Sequence, residues 1–238
     1  GLAGESLNHS ASLRSRPRIH RIDRLEAMPE HSTVTKSIAS CFLMALLASC
    51  ASLPPGNQDD LCTLLSDEPA WYDHARRSER RWGTPIAIQM AFVRQESAFR
   101  ARARPERRWW LGFIPLPRRS SAKGFAQAQG PAWSDYQAAT GRRFARRGDM
   151  EDALDFIGWY NDVSYRRLGL AKTNAYDLYL AYHEGHGGYS RRSFSTKPEL
   201  RAIASRVDQT SLRYQRQLDH CEDELRCSRW YQFWPFCR

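Results

Sequence analysis

The sequence predicts a mainly α-helical domain on three observations. Apolar residues recur at helical spacing in successive stretches, Gly or Pro punctuates the ends of those stretches, and no run of alternating strand-like residues appears. Residues 69–82 put Trp71, Ala75 and Trp82 on one face and stop at Gly83. Residues 84–99, TPIAIQMAFVRQESAF, are the stretch around which the rest is organised. Thr84 suits an N-cap and Pro85 the first helical position, where a missing N–H costs nothing. From Pro85 to Val93 only Gln89 is polar, and a helix apolar nearly all round must be wrapped by other elements. Gly130-Pro131 then opens a helix carrying Trp133, Tyr136 and Ala139 that ends near Gly141. Residues 150–168 align Leu154, Ile157, Tyr160, Asn161 and Ser164 on one stripe before Gly169. Thr173 caps a helix through Tyr176, Leu178, Tyr179 and Tyr182 that breaks at Gly185, Gly187 and Gly188. Pro198 starts a last long helix with Leu200, Ile203, Val207, Tyr214 and Leu218 on one face. No internal repeat is present.

Between the second and third of these helices lies an irregular insert, residues 100–123, in which Glu106 is the single anion among Arg100, Arg102, Arg104, Arg107, Arg108, Arg118, Arg119 and Lys123. Its apolar centre, from Trp109 and Trp110 to Leu116, is broken by Pro115 and Pro117, so neither a long helix nor a regular strand is expected. Aromatics interleaved with Arg suit stacking on sugar faces and pairing with carboxylates; they equally suit a loop folded back onto the core.

Glu96 is the residue with the most chemistry to offer. Phe92 and Val93, four and three residues back, share its helix face, so the carboxyl has apolar surroundings. Desolvation and the negative end of the helix dipole both raise its pKa, which is what a general acid needs. The plain alternative is a helix-terminal Glu hydrated at the surface.

Composition sets the address and the partners. Residues 1–35 are polar and without periodicity and are read as disordered or as a mis-assigned upstream segment. Residues 36–49 give a charged start and an apolar run too short for a membrane span. Leu47-Ala48-Ser49-Cys50 resembles the bacterial lipoprotein lipobox, which implies lipidation of Cys50, a signal peptide at 36–49 and a lipidated tether over 50–68. Ala51 after the Cys implies sorting to the periplasmic face of the outer membrane. The folded domain is then expected at 69–238. Without residues 1–49 the Lys and Arg count falls from 36 to 30 and the Asp and Glu count from 26 to 22, leaving a net charge of +8. Such a basic, Arg-rich chain wants an anionic neighbour, and the export signal favours wall carboxylates and lipid headgroups over nucleic acid. Four cysteines remain, Cys62, Cys221, Cys227 and Cys237, an even number in an oxidising compartment, so two disulfides are expected with the pairing open. No C-x-x-C pair suggests zinc.

Three short pieces fall in order along the chain: Glu96-Ser97 at the end of the apolar helix, then Gly124-Phe125-Ala126-Gln127, then Ala181-Tyr182-His183-Glu184-Gly185. Together they resemble the lysozyme-like lytic transglycosylases of the SLT type, whose signatures read E-S, G-L-M-Q and A-Y-N-A-G; the resemblance covers roughly residues 71–189. It implies a lysozyme-like helical domain that cleaves peptidoglycan without a cofactor or metal. Carried over position by position, Glu96 is the catalytic acid and base, and Ser97 the hydroxyl beside it. Gln127 contacts the N-acetylated sugar, and Tyr182 orients the catalytic carboxyl. His183 and Glu184 stand where the family has Asn and Ala, which implies a changed sugar subsite; for Glu184 a salt bridge to an Arg is the favoured reading over a second carboxylate for chemistry. The implied reaction breaks the β-1,4 bond between N-acetylmuramic acid and N-acetylglucosamine and leaves 1,6-anhydromuramic ends. A lysozyme-type hydrolase and an inactive wall-binding lipoprotein are the rivals.

Overall fold

The computed structural model describes residues 55–226, apart from 108, 112 and 118–119. The signal segment, Cys50, Cys227 and Cys237 lie outside the described residues, as do the side chains of Trp109 and Trp110. In chain order the elements are α1 (Leu61–Asp67), α2 (Pro69–Trp82), α3 (Ile86–Ser97), a minimal hairpin of β1 (Trp109–Trp110) and β2 (Ile114–Pro115), α4 (Gly130–Thr140), α5 (Met150–Leu168), α6 (Ala175–Ser190), a 3-10 turn (Ser193–Thr196) and α7 (Pro198–Arg226). The domain is mainly helical, as its patterning predicts. The hairpin pairs Trp109 with Pro115 and Trp110 with Ile114. At its tip Leu111 and Phe113 are 67% and 70% exposed, so these two do not fold back onto the core.

Helix α3 is the core helix. Every residue from Ile86 to Val93 is buried, Gln89 included. The buried amide is tolerable because its Nε2 donates to the carbonyls of Ala75 at 3.2 Å and Thr84 at 2.7 Å. Helix α7 packs along one side of α3, with α2 and α5 on others. Phe92, 0% exposed, is wholly enclosed, and burying a side chain of that size contributes about 1.5–3 kcal/mol. The start of α3 differs from expectation: Pro85 is the N-cap, no side chain caps it, and Thr84 is buried with its hydroxyl unpartnered. The first amide is met from elsewhere, Ile86 N–H donating to Glu79 Oε1 at 3.2 Å. In α6 the cap is Asn174, not Thr173; its side chain accepts from Asp177 N–H at 3.1 Å. That helix bends only at Gly185 (φ 72°, ψ 159°) and runs on to Ser190.

A second correction concerns the start of the domain. Residues 61–67, assigned above to the tether, form α1. Asp60 accepts from Thr63 N–H at 3.1 Å, capping a turn that buries Leu61, Leu64 and Leu65 against α7 and α2. Leu61 N–H donates to Gln217 Oε1 at 2.9 Å, and Cys62 is disulfide-bonded to Cys221. A seven-residue helix offers too few turns for a periodic signal, and its partners Gln217 and Cys221 lie 156 and 159 residues on.

Candidate active site

A cleft of about 510 Å³ opens between the end of α3, the turn before α4 and the C-terminal half of α6. Its walls include Glu96, Gln127, Gln129, Phe156, Tyr160, Tyr182, His183 and Glu184. Three distant stretches of sequence therefore meet at one concave place.

Glu96 reaches it from the penultimate position of α3. Its carboxyl is raised from an ordinary 4.5 to about 7, chiefly because burial disfavours the charged form; a hydrogen bond from Tyr179 pulls the other way. That donor, Tyr179 Oη to Glu96 Oε1 at 2.8 Å, corrects the role read for Tyr182. Tyr182 Oη donates instead to the Ala126 carbonyl at 2.6 Å, tying α6 to the turn before α4. Both tyrosines pack edge-on against Phe92, with centroids 5.3 and 5.4 Å away. Three residues apart on one helix, they share a face, and the ring of Phe92 sends one hydroxyl to the acid and the other to the turn. Tyr179 was legible only as a core aromatic; its spacing from Tyr182 is the signal that could have marked it.

Ser97 is buried and donates to its own helix, Oγ to Val93 O at 3.0 Å, and does not line the cleft. Gln127 does. It sits in a left-handed conformation (φ 44°) with Nε2 held by the carbonyls of Ala103 at 3.0 Å and Gly124 at 2.8 Å. Its own amide oxygen has no partner among the described residues. Glu184 is a committed carboxylate: Lys197 Nζ lies 2.8 Å from both its oxygens, Ser193 Oγ donates to one, and His183 Nδ1 stands 3.3 Å from the other. Led by the Lys197 contact, these hydrogen bonds hold its pKa at about 2. The salt-bridge reading fits, with Lys197 as the partner in place of an Arg. His183 is exposed on the rim, whereas His186 stacks on Tyr160 at 4.5 Å and meets Ser164 Oγ at 3.0 Å. Tyr160, another wall residue, is pushed up to about 12 by burial. Among the described residues no three His, Cys, Asp or Glu side chains converge as a metal ion would require.

Tyr179→Phe is expected to move the alkaline limb of a peptidoglycan-cleavage profile upward by about one pH unit. The lost hydrogen bond favoured the charged carboxylate, so its removal raises the Glu96 pKa further. An unmoved limb would mean that Tyr179 does not act on Glu96.

No curated protein matches the chain. The profile of the transglycosylase SLT domain, however, matches residues 38–221, most of the chain's length. With the helical fold and the cleft already described, the chain belongs to the transglycosylase SLT domain family, whose enzymes act as lytic transglycosylases on the peptidoglycan of the cell envelope.

Proposed function

We propose that the protein cleaves the β-1,4 bond between N-acetylmuramic acid and N-acetylglucosamine without water, leaving 1,6-anhydromuramic ends. The observation that carries this reading is the contrast between the two carboxyl groups of the cleft. Glu96, raised to about 7, can hold a proton and give it to the leaving glycosidic oxygen. As carboxylate it then takes the proton of the sugar's 6-hydroxyl as that oxygen closes on the anomeric carbon. Gln127 offers an amide oxygen to the acetamido N–H, and Tyr182, His183 and the apolar wall receive the sugar rings.

Both two-carboxylate glycosidase mechanisms need a second Asp or Glu as nucleophile or as base for water. Glu184 is the other carboxylate in the cleft wall among the described residues, and it is held near 2 with Lys197 across both oxygens, a poor base. Ring closure by the substrate's own hydroxyl is intramolecular, so proximity favours it over capture of a free water. Digestion of purified sacculi followed by mass spectrometry is expected to give ends one water lighter than hydrolytic ends. Predominantly reducing muramic ends would identify a hydrolase, and an intact sacculus an inactive wall binder.

We also propose that the chain is held by lipid on Cys50 at the periplasmic face of the outer membrane, with residues 50–57 as tether, a reach of about 25–30 Å at full extension. Cys50→Ala should then release the protein to the soluble fraction with the specific activity of the domain unchanged. Membrane pelleting that survives the substitution would overturn the lipid anchor.

A further inference from the structure

Behind the turn that carries Gln127 lies a second hollow of about 650 Å³. Its lining includes Arg102, Lys123, Arg146 and Arg147, with Asp149 as its one carboxylate among the described residues and Trp133 among its apolar walls. The cleft and the hollow share a partition: Ala122 and Ala128 face the cleft, and Lys123, between them in sequence, lines the hollow while bridging Ala128 across the turn. Bridged partners lie about 5 Å apart, and three extended peptide residues span about 10 Å. A chain branching from a sugar in the cleft therefore reaches the hollow within a few residues.

Lys123, Arg146 and Arg147 have charge to offer. Arg147 is held in place by Nη1 donating to the carbonyls of Ser121 at 2.8 Å and Ala128 at 3.0 Å, with no carboxylate partner among the described residues. Lys123 has no such partner either, and Arg146 reaches Asp149 only at 3.5 Å, 80% exposed. The basic cavity between α3 and α7 is different, since Arg94 and Arg213 both close on Asp59, at 2.7 and 3.1 Å. A fixed guanidinium beside a lysine ammonium in a concave site suits carboxylates on a short, branched ligand. A planar lipid surface would meet a projecting feature such as the hairpin tip instead.

We propose that this hollow binds the carboxylates of the peptide stem borne by the muramyl sugar, an assignment that rests on the glycan occupying the adjoining cleft. The test compares the full chain with a Lys123→Glu, Arg146→Glu variant on glycan strands that keep their stems and on strands stripped of them by an amidase. The unaltered protein is expected to prefer stem-bearing strands about tenfold, and the variant to lose that preference while cleaving stripped strands at an unchanged rate. In parallel, a free, fluorescently labelled stem tetrapeptide is titrated onto Glu96→Gln protein with and without the two charge reversals. Binding should fall about tenfold or more with the reversals and weaken with salt. Peptide binding indifferent to the reversals, or equal loss on both kinds of strand, would overturn the assignment. So would loss of binding to phosphatidylglycerol vesicles with peptide binding intact, which would mark a lipid site. If neither protein cleaves any strand yet the peptide binds as expected, the hollow stands and the cleavage reading falls.

Discussion

Glu96→Gln is expected to lower peptidoglycan cleavage about a hundredfold or more and, in the same protein, to raise the melting temperature at about pH 8. The first effect follows from removing the proton that the leaving oxygen needs. The second follows from linkage. The folded carboxyl titrates at about 7, above its ordinary 4.5, so folding favours the protonated acid. The stability this group contributes is complete below the unfolded pKa and is lost as pH rises through about 7. Gln stays neutral throughout and can still accept from Tyr179. The gain above neutrality, discounted for partial solvent access, is about 1–2 kcal/mol, worth a few degrees in a domain of this size. At about pH 4 the two proteins should melt alike. Thermal melts at both pH values, with sacculus clearance beside them, separate the outcomes; a variant that clears sacculi at an undiminished rate would remove Glu96 from the chemistry.

Gly124→Ala is expected to cost about 3 kcal/mol or more, with a fall in melting temperature of roughly 6–12 °C. Gly124 has φ +78°, and a Cβ there would stand 1.7 Å from the Arg147 carbonyl oxygen and 2.3 Å from its carbon. Backbone, unlike a side-chain tip, cannot swing away. The turn and the 147 strand of chain would have to separate, breaking Phe125 N–H to Arg147 O at 3.1 Å and loosening Gln127 at the cleft. Gly141→Ala is the control: its φ of +72° is similar, but nothing lies within 4 Å, so only the backbone strain of about 1 kcal/mol remains. Equal melting temperatures for the two variants would sink the argument.

The helices that could be read in the sequence are those whose ends carry their own chemistry. Gly83, Gly141 and Gly169 close α2, α4 and α5, and Pro198 opens α7, because those signals act within a turn of the residue that bears them. What escaped depends on partners far away in sequence. Helix α1 is held by Gln217 and Cys221, and Thr84 was displaced from the cap by a carboxylate on α2. At the site, Glu96, Gln127 and Tyr182 were found through short motifs, and the cleft gathers all three. Which tyrosine reaches the acid was not legible, since Tyr179 and Tyr182 lie on one face and their hydroxyl partners, Glu96 and the Ala126 carbonyl, come from distant stretches. Ser97 was carried over with its neighbour, yet one step along a helix is a turn of about 100°, enough to point it into its own backbone.

The bond between Cys62 and Cys221 joins positions 159 residues apart, α1 to α7. A chain leaves the ribosome with its N-terminal end leading, so α1 appears before the other described helices and then waits. Until residue 221 is out, the thiol of Cys62 has no mate and Leu61, Leu64 and Leu65 have no α7 to cover them. The domain therefore cannot be secured piecemeal as it is delivered. Helix α1 is among the last elements to be locked, and any interruption of delivery before α7 leaves it greasy and reactive for chaperones or proteases to find.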